Sequence, residues 1–218
     1  MKKQRLFTTR QWVLMAMLSA LAYLIMSLVR IPVVLFLKYE PKDVIITVGG
    51  FLMGPLASFL ISLVVSLVEM VTVSDTGPIG ALMNLLSTCT FACTAAVFYK
   101  KNHSLKGAVL GLALGSVTMV GTMLLWNWLV TPWYMGQPRE VEESLLIPAF
   151  LPFNLLKGGL NTAFTLMLYK PLTVALRKTG LLSPSVQPKS QAKIGGYLLG
   201  AILLITCVLL LLVFRKLA

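Results

Sequence analysis

Seven apolar runs divide this chain, at about residues 11–29, 43–54, 55–73, 78–99, 105–131, 146–175 and 194–214. Most are long enough to cross a hydrocarbon layer of about 30 Å as a helix. That pattern excludes most soluble folds. The chain is 57% hydrophobic and 12% charged, with a mean hydropathy of +0.86. One aqueous core could not hide so much apolar side chain, so lipid is the solvent for most of it. The expected class is an all-α membrane protein.

The second and third runs are fused as VIITVGGFLMGPLASFLISLVVSLVEMVTV. As one helix this would measure roughly 45 Å, well over the thickness of the layer. Gly54-Pro55 offers a break, because proline fits the first turn of a new helix. The piece before it is short, and is expected to be tilted or partly buried in protein. Charge parity supports the break. With Lys2, Lys3, Arg5 and Arg10 inside, a turn at Gly54-Pro55 places KKNHSLK, Lys170, Arg177, Lys178, Lys189 and Lys193 inside as well. The acids Glu40, Asp43, Glu69, Asp75, Glu140, Glu142 and Glu143 then fall outside or near outer helix ends. Arg215 and Lys216 violate the rule locally. Six helices precede a Ser/Pro/Gln-rich stretch read as a cytoplasmic linker. The expected organisation is a six-helix membrane domain over 1–178, the linker over 179–193, and an additional transmembrane helix over 194–218. That last helix is almost purely aliphatic after Tyr197 and reads as an added anchor. The N-terminus has a basic start and an Ala20-Leu21-Ala22 site, but its apolar run continues to Val29, so it reads as a retained first span with a cytoplasmic N-terminus.

Several chemistries find no support. The net charge of +12 arises from basic residues between apolar runs, not from a basic, aromatic-interleaved nucleic-acid surface. Cys89, Cys93 and Cys207 read as small packing residues, and the lone His103 cannot build a metal site. There is no GxxxxGK[ST], HExxH or GxSxG. The chain carries binding groups but no motor of its own.

Those groups gather near the outer ends. The first loop, RIPVVLFLKYEPKD, mixes Leu35, Phe36, Leu37 and Tyr39 with Lys38, Glu40, Lys42 and Asp43. The fifth span ends in WNWLVTPWYMG, and the sixth begins PFNLLKGGLN. Asn154, Lys157 and Asn161 are three and four apart and share a helix face. Gly158 and Gly159 permit close approach of a neighbour. Plainer readings exist: Trp126, Trp128, Trp133 and Tyr134 suit an interfacial belt, Lys157 could snorkel, and Arg30 and Glu69 could pair or line the entrance. Two amides on the stripe of Lys157 favour a binding role, since an amide gains nothing in hydrocarbon. The pattern predicts an outward-facing, apolar-walled pocket with a few polar contacts, suited to a flat small molecule with polar edges. On the first helix, Ala16-xxx-Ala20 offers a small-residue face to a partner, whereas Gly107, Gly111 and Gly115 serve packing within the bundle.

LKYEPKDV, SDTGPIGALMN, TPWYMG and PFNLLKG, in this order across residues 10–178, resemble the riboflavin-binding S component of energy-coupling factor (ECF) vitamin transporters. The resemblance implies a six-helix substrate-binding subunit of the bacterial plasma membrane, without enzymatic activity or a cofactor of its own. Riboflavin or FMN would be the transported substrate. A transmembrane coupling subunit and two ATPase subunits would complete the transporter, with Ala16 and Ala20 facing the coupling subunit. Asn127, Asn154 and Lys157 would contact the flavin, and Leu35, Phe36, Leu37 and Lys38 would close over it. Lys157 would donate to a ring carbonyl, a ring nitrogen or a ribityl oxygen, and the ligand would satisfy its buried amine. The seventh helix departs from the six-helix pattern. The competing readings are an S component for another vitamin, a small membrane-embedded enzyme, and a bundle that binds only another protein.

Overall fold

The computed structural model describes residues 6–34, 37–73, 77–136, 138–178 and 195–217. Helix α1 (Thr9–Leu28) opens on a reciprocal cap: the Gln11 amide donates to Thr8 Oγ1 at 3.4 Å and the Thr8 amide donates to Gln11 Oε1 at 2.8 Å. A short antiparallel hairpin follows, β1 (Ile31–Val34) and β2 (Leu37–Tyr39), pairing Ile31 with Tyr39 and Pro32 with Lys38. The sequence predicted only a loop here. The alternation of buried Leu37, exposed Lys38 and buried Tyr39 is too short to declare a strand by periodicity.

Helices α2 (Lys42–Met53) and α3 (Pro55–Thr72) are separate elements, as Gly54-Pro55 suggested. Gly54 has φ 97° and ψ 173°, a conformation essentially reserved for glycine. Helix α2 has only 12 residues, and every residue from Lys42 to Phe51 is buried. It is sheathed by α1, α3, α4 (Gly77–Lys101) and α8 (Leu151–Lys178), so its shortness leaves no backbone facing lipid. Helix α5 (Leu105–Leu129) is capped by Ser104 Oγ, which accepts from the Gly107 amide at 3.1 Å. It packs closely on α4: a Cβ at Gly111 or Gly115 would stand 2.7 Å from the Ala95 carbonyl oxygen or 2.6 Å from that of Phe91. These glycines do serve packing inside the bundle. Two short helices, α6 (Thr131–Met135) and α7 (Arg139–Leu145), and a π-helical turn (Leu146–Phe150) lead into α8.

Among the described residues, α1, α3, α4 and α5 are by length and composition able to cross a membrane. Their outward residues are apolar, among them Leu24, Val64, Leu110 and Val117, as expected where hydrocarbon replaces water. The chain is a multi-pass, all-α membrane protein. The last helix, α9 (Gly195–Leu217), packs along α8; the linker expected over 179–193 lies outside the described residues. Gly54 approaches the Lys100 side chain, so the 54–55 turn and the loop after α4 share one end of the bundle. The polar groups of the hairpin, α2, α3, α5 and α8 gather at the other.

Candidate functional site

The N-terminal parts of α2 and α8 meet over a buried ion pair. Asp43 and Lys157 approach to 3.3 Å, Asp43 being 0% and Lys157 8% exposed. Asp43 also accepts from Thr88 Oγ1 of α4 at 2.7 Å and from Asn161 Nδ2 of α8 at 3.1 Å. The Lys157 ammonium donates to Ser87 Oγ at 3.1 Å, and the Tyr39 hydroxyl donates to Asn161 Oδ1 at 3.1 Å. Burial, with the Asp43 charge nearby, pushes the Tyr39 hydroxyl well above the ordinary phenol range, so it remains a donor. Every member of this group has a partner, which a charge pair in a low-dielectric interior requires.

A second polar group lies beside it. Arg30 pairs with Glu40 at 3.1 Å and with Glu69 at 3.5 Å; Lys42 pairs with Glu40 at 2.8 Å and with Glu69. Asn84 of α4 donates to Glu69 at 2.8 Å. This network ties the start of α2 to the ends of α1 and α3, and Glu40 brings in the hairpin. Arg30 and Glu69 therefore both pair and line the entrance.

Between the two groups a cavity of about 360 Å³ lies at the hairpin end of the bundle, within the range of small-molecule pockets. Asn127, Asn154, Lys157, Leu37 and Lys38 all line it; Leu35 and Phe36 lie outside the described residues. The π-helical turn leads into α8, and Asn154 Nδ2 donates to the Phe150 carbonyl at 2.8 Å, leaving the Asn154 side-chain oxygen to accept. Asn127 Oδ1 accepts from Thr131 Oγ1 at 3.0 Å, which leaves the Asn127 amide hydrogens to donate. Met83, Met123 and Phe153 supply apolar wall. The walls thus offer donors, acceptors and flat apolar area together.

Sequence reasoning left the amine of Lys157 for a ligand to satisfy. In the structure Asp43 and Ser87 take two of its three donors, so a ligand has at most the third to fill. The sequence reading named Asp43 only among the polar residues of the first loop and gave Asn84, Ser87 and Thr88 no role. Asn84, Ser87 and Thr88 are three and four apart on α4, a polar face that spacing alone could have marked. Asp43 had no such signal, because its contact with Asn161 spans 118 positions. Ala16 and Ala20 lie apart from the cavity on the exposed face of α1. Trp133 and Tyr134 are exposed, as a belt would be.

A helical membrane bundle with a polar-edged pocket at its end is the architecture of a solute-binding membrane subunit. The comparisons with known proteins make that specific. Residues 10–169 match the family model of the substrate-specific component of ECF transporters, and the chain belongs to that family. A riboflavin transporter of Staphylococcus aureus (strain TCH60), RibU, is 24% identical over 81% of this chain and 97% of its own. A riboflavin transporter of Bacillus subtilis (strain 168), FmnP, is 27% identical over 74% of this chain and 91% of its own. A solved S component of a bacterial ECF transporter superposes with a TM-score of 0.65 at 26% identity, covering 77% of this chain and 97% of that one. Helix α9 lies beyond the family match. As a family member the chain is a transporter subunit and not an enzyme.

Proposed function

We propose that this chain captures riboflavin outside a bacterial cell and delivers it as the substrate-specific subunit of an ATP-driven ECF transporter. The observation that carries the reading is the pocket itself: in a family-matched bundle, Asn127, Asn154 and Lys157 line one cavity together with Leu37 and Lys38 of the hairpin. The free amide hydrogens of Asn127 and the free oxygen of Asn154 complement the mixed donor–acceptor edge of the flavin pyrimidine ring. Met83, Met123 and Phe153 take its ring faces, and Lys157 keeps donor capacity for a ring or ribityl oxygen. Relatives named as riboflavin transporters support this choice over another vitamin.

The membrane is the plasma membrane, with the N-terminus cytoplasmic, so the pocket opens outward. The partners are a transmembrane coupling subunit and two cytosolic ATPase subunits. Ala16 and Ala20 form the docking face on α1, and ATP hydrolysis by the partners reorients the loaded subunit. The ring contacts are common to riboflavin and FMN, so the transported substrate is riboflavin or FMN. Protein purified in detergent should show the flavin band at about 450 nm, which the ring itself supplies, and titration of ligand-free protein should saturate at one equivalent. Binding of thiamine but not of riboflavin would overturn the substrate assignment.

A further inference from the structure

Helix α9 does not behave as a loosely tethered anchor. A Cβ at Gly159 of α8 would lie 2.6 Å from Cys207 Sγ of α9, and one at Gly200 of α9 would lie 2.8 Å from Met167 Cγ and 3.1 Å from the Ala163 carbonyl oxygen. Gly159, Ala163 and Met167 form one stripe of α8 at four-residue spacing; Gly200, Leu204 and Cys207 form the facing stripe of α9. Glycine on both helices at the contact is what close backbone approach in a membrane requires. The opposite side of α9, with Leu198, Ile202, Ile205 and Leu209, is exposed.

This seam backs onto the pocket. Asn154, Lys157 and Asn161 project from the side of α8 away from Gly159 and Ala163. Cys207, with Leu204 packed against it, belongs to the same apolar cluster as Val33, Leu37 and Tyr39 of the hairpin and Phe150, Phe153, Leu156 and Leu160 around α8. Leu37 and Phe153 are pocket wall, and Tyr39 bonds Asn161. Helix α9 also touches β1 directly.

We infer that α9 is a positioning element of the binding site: it wedges the hairpin against α8 and thereby sets how long a bound molecule stays in the pocket. The ligand readout of this inference rests on the riboflavin reading above; its structural readout does not.

The test uses the full chain in nanodiscs. Gly159→Ala places a methyl group 2.6 Å from Cys207 Sγ, so the sulfur or α9 itself must shift. Amide hydrogen exchange over 31–34 and 37–39, without ligand, should quicken, and riboflavin should dissociate about tenfold faster or more, since interface changes act chiefly on the off-rate. Cys207→Ala in the same chain removes the sulfur and should restore both. Leu204→Ala removes packing without inserting anything and should loosen the hairpin if Gly159→Ala does not fold. Unchanged hairpin exchange in Gly159→Ala and in Leu204→Ala would overturn the inference. So would a Gly159→Ala defect that Cys207→Ala leaves untouched while Leu204→Ala behaves as the parent. If the parent chain does not bind riboflavin, the flavin assignment falls and amide exchange alone decides the role of α9.

Discussion

Lys157 shows at the residue scale what a buried charge demands. It sits on α8 with two amides on its stripe, and its countercharge arrives from α2. Removing one member strands the other in a dry interior, at a cost of about 3–5 kcal/mol. Lys157→Met and Asp43→Asn should therefore each lower the thermal unfolding temperature of ligand-free protein in detergent. The double variant should lose less than the sum of the two, and strict additivity would mean that the pair is not coupled. Riboflavin affinity should fall in Asp43→Asn as well as in Lys157→Ala, because Asp43 orients the ammonium that faces the pocket; an Asp43→Asn protein with parental affinity would remove it from the site. The stripe of Asn154, Lys157 and Asn161 was legible because helical spacing is a local property. Asp43 was not, since nothing in LKYEPKDV says which distant residue its carboxylate will meet. Tyr39 is the same case: its hydroxyl is anchored to Asn161, 122 positions away.

At the scale of elements, glycine decides where helices break and where they touch. Gly54→Ala forces a side chain into a backbone conformation at φ 97° and should cost roughly 1–3 kcal/mol, read as a lower unfolding temperature with unchanged riboflavin stoichiometry. A stability equal to the parent's would mean that the α2–α3 turn relaxes freely. Gly115→Ala should be comparably damaging, about 1–3 kcal/mol, because its methyl group meets the Phe91 carbonyl oxygen rather than a movable side chain. The break at Gly54-Pro55 was visible in the sequence because a span of 30 residues does not fit the bilayer. The hairpin was not visible: strands of four and three residues carry too little alternation, and the residues they pack against, on α8 and α9, are distant in the chain.

At the scale of the whole molecule, the two ends of the bundle differ in kind. One gathers the 54–55 turn and the loop after α4; the other gathers the hairpin, the charge networks and the pocket. Single cysteines in a cysteine-free background check the orientation. A cysteine at Glu140 should react with an impermeant maleimide added to intact cells, and one at His103 should react only after lysis; the reverse pattern would invert the proposed topology. A bulky residue at Ala16 or Ala20, on the exposed face of α1, should abolish uptake and spare flavin binding, whereas joint loss of both would assign that face to folding. The sequence by itself determined the membrane class, the order of the spans, the break before Pro55 and the polar stripe on α8, because hydropathy, charge parity and helical period are all read over neighbouring residues. Only the tertiary structure decided that Lys157 pairs with Asp43, that Arg30, Glu40, Lys42 and Glu69 join in one network, and that α9 packs behind the site helix. Those contacts join residues far apart in the chain, and they exist only once the helices have closed around one another and excluded water and lipid from between them.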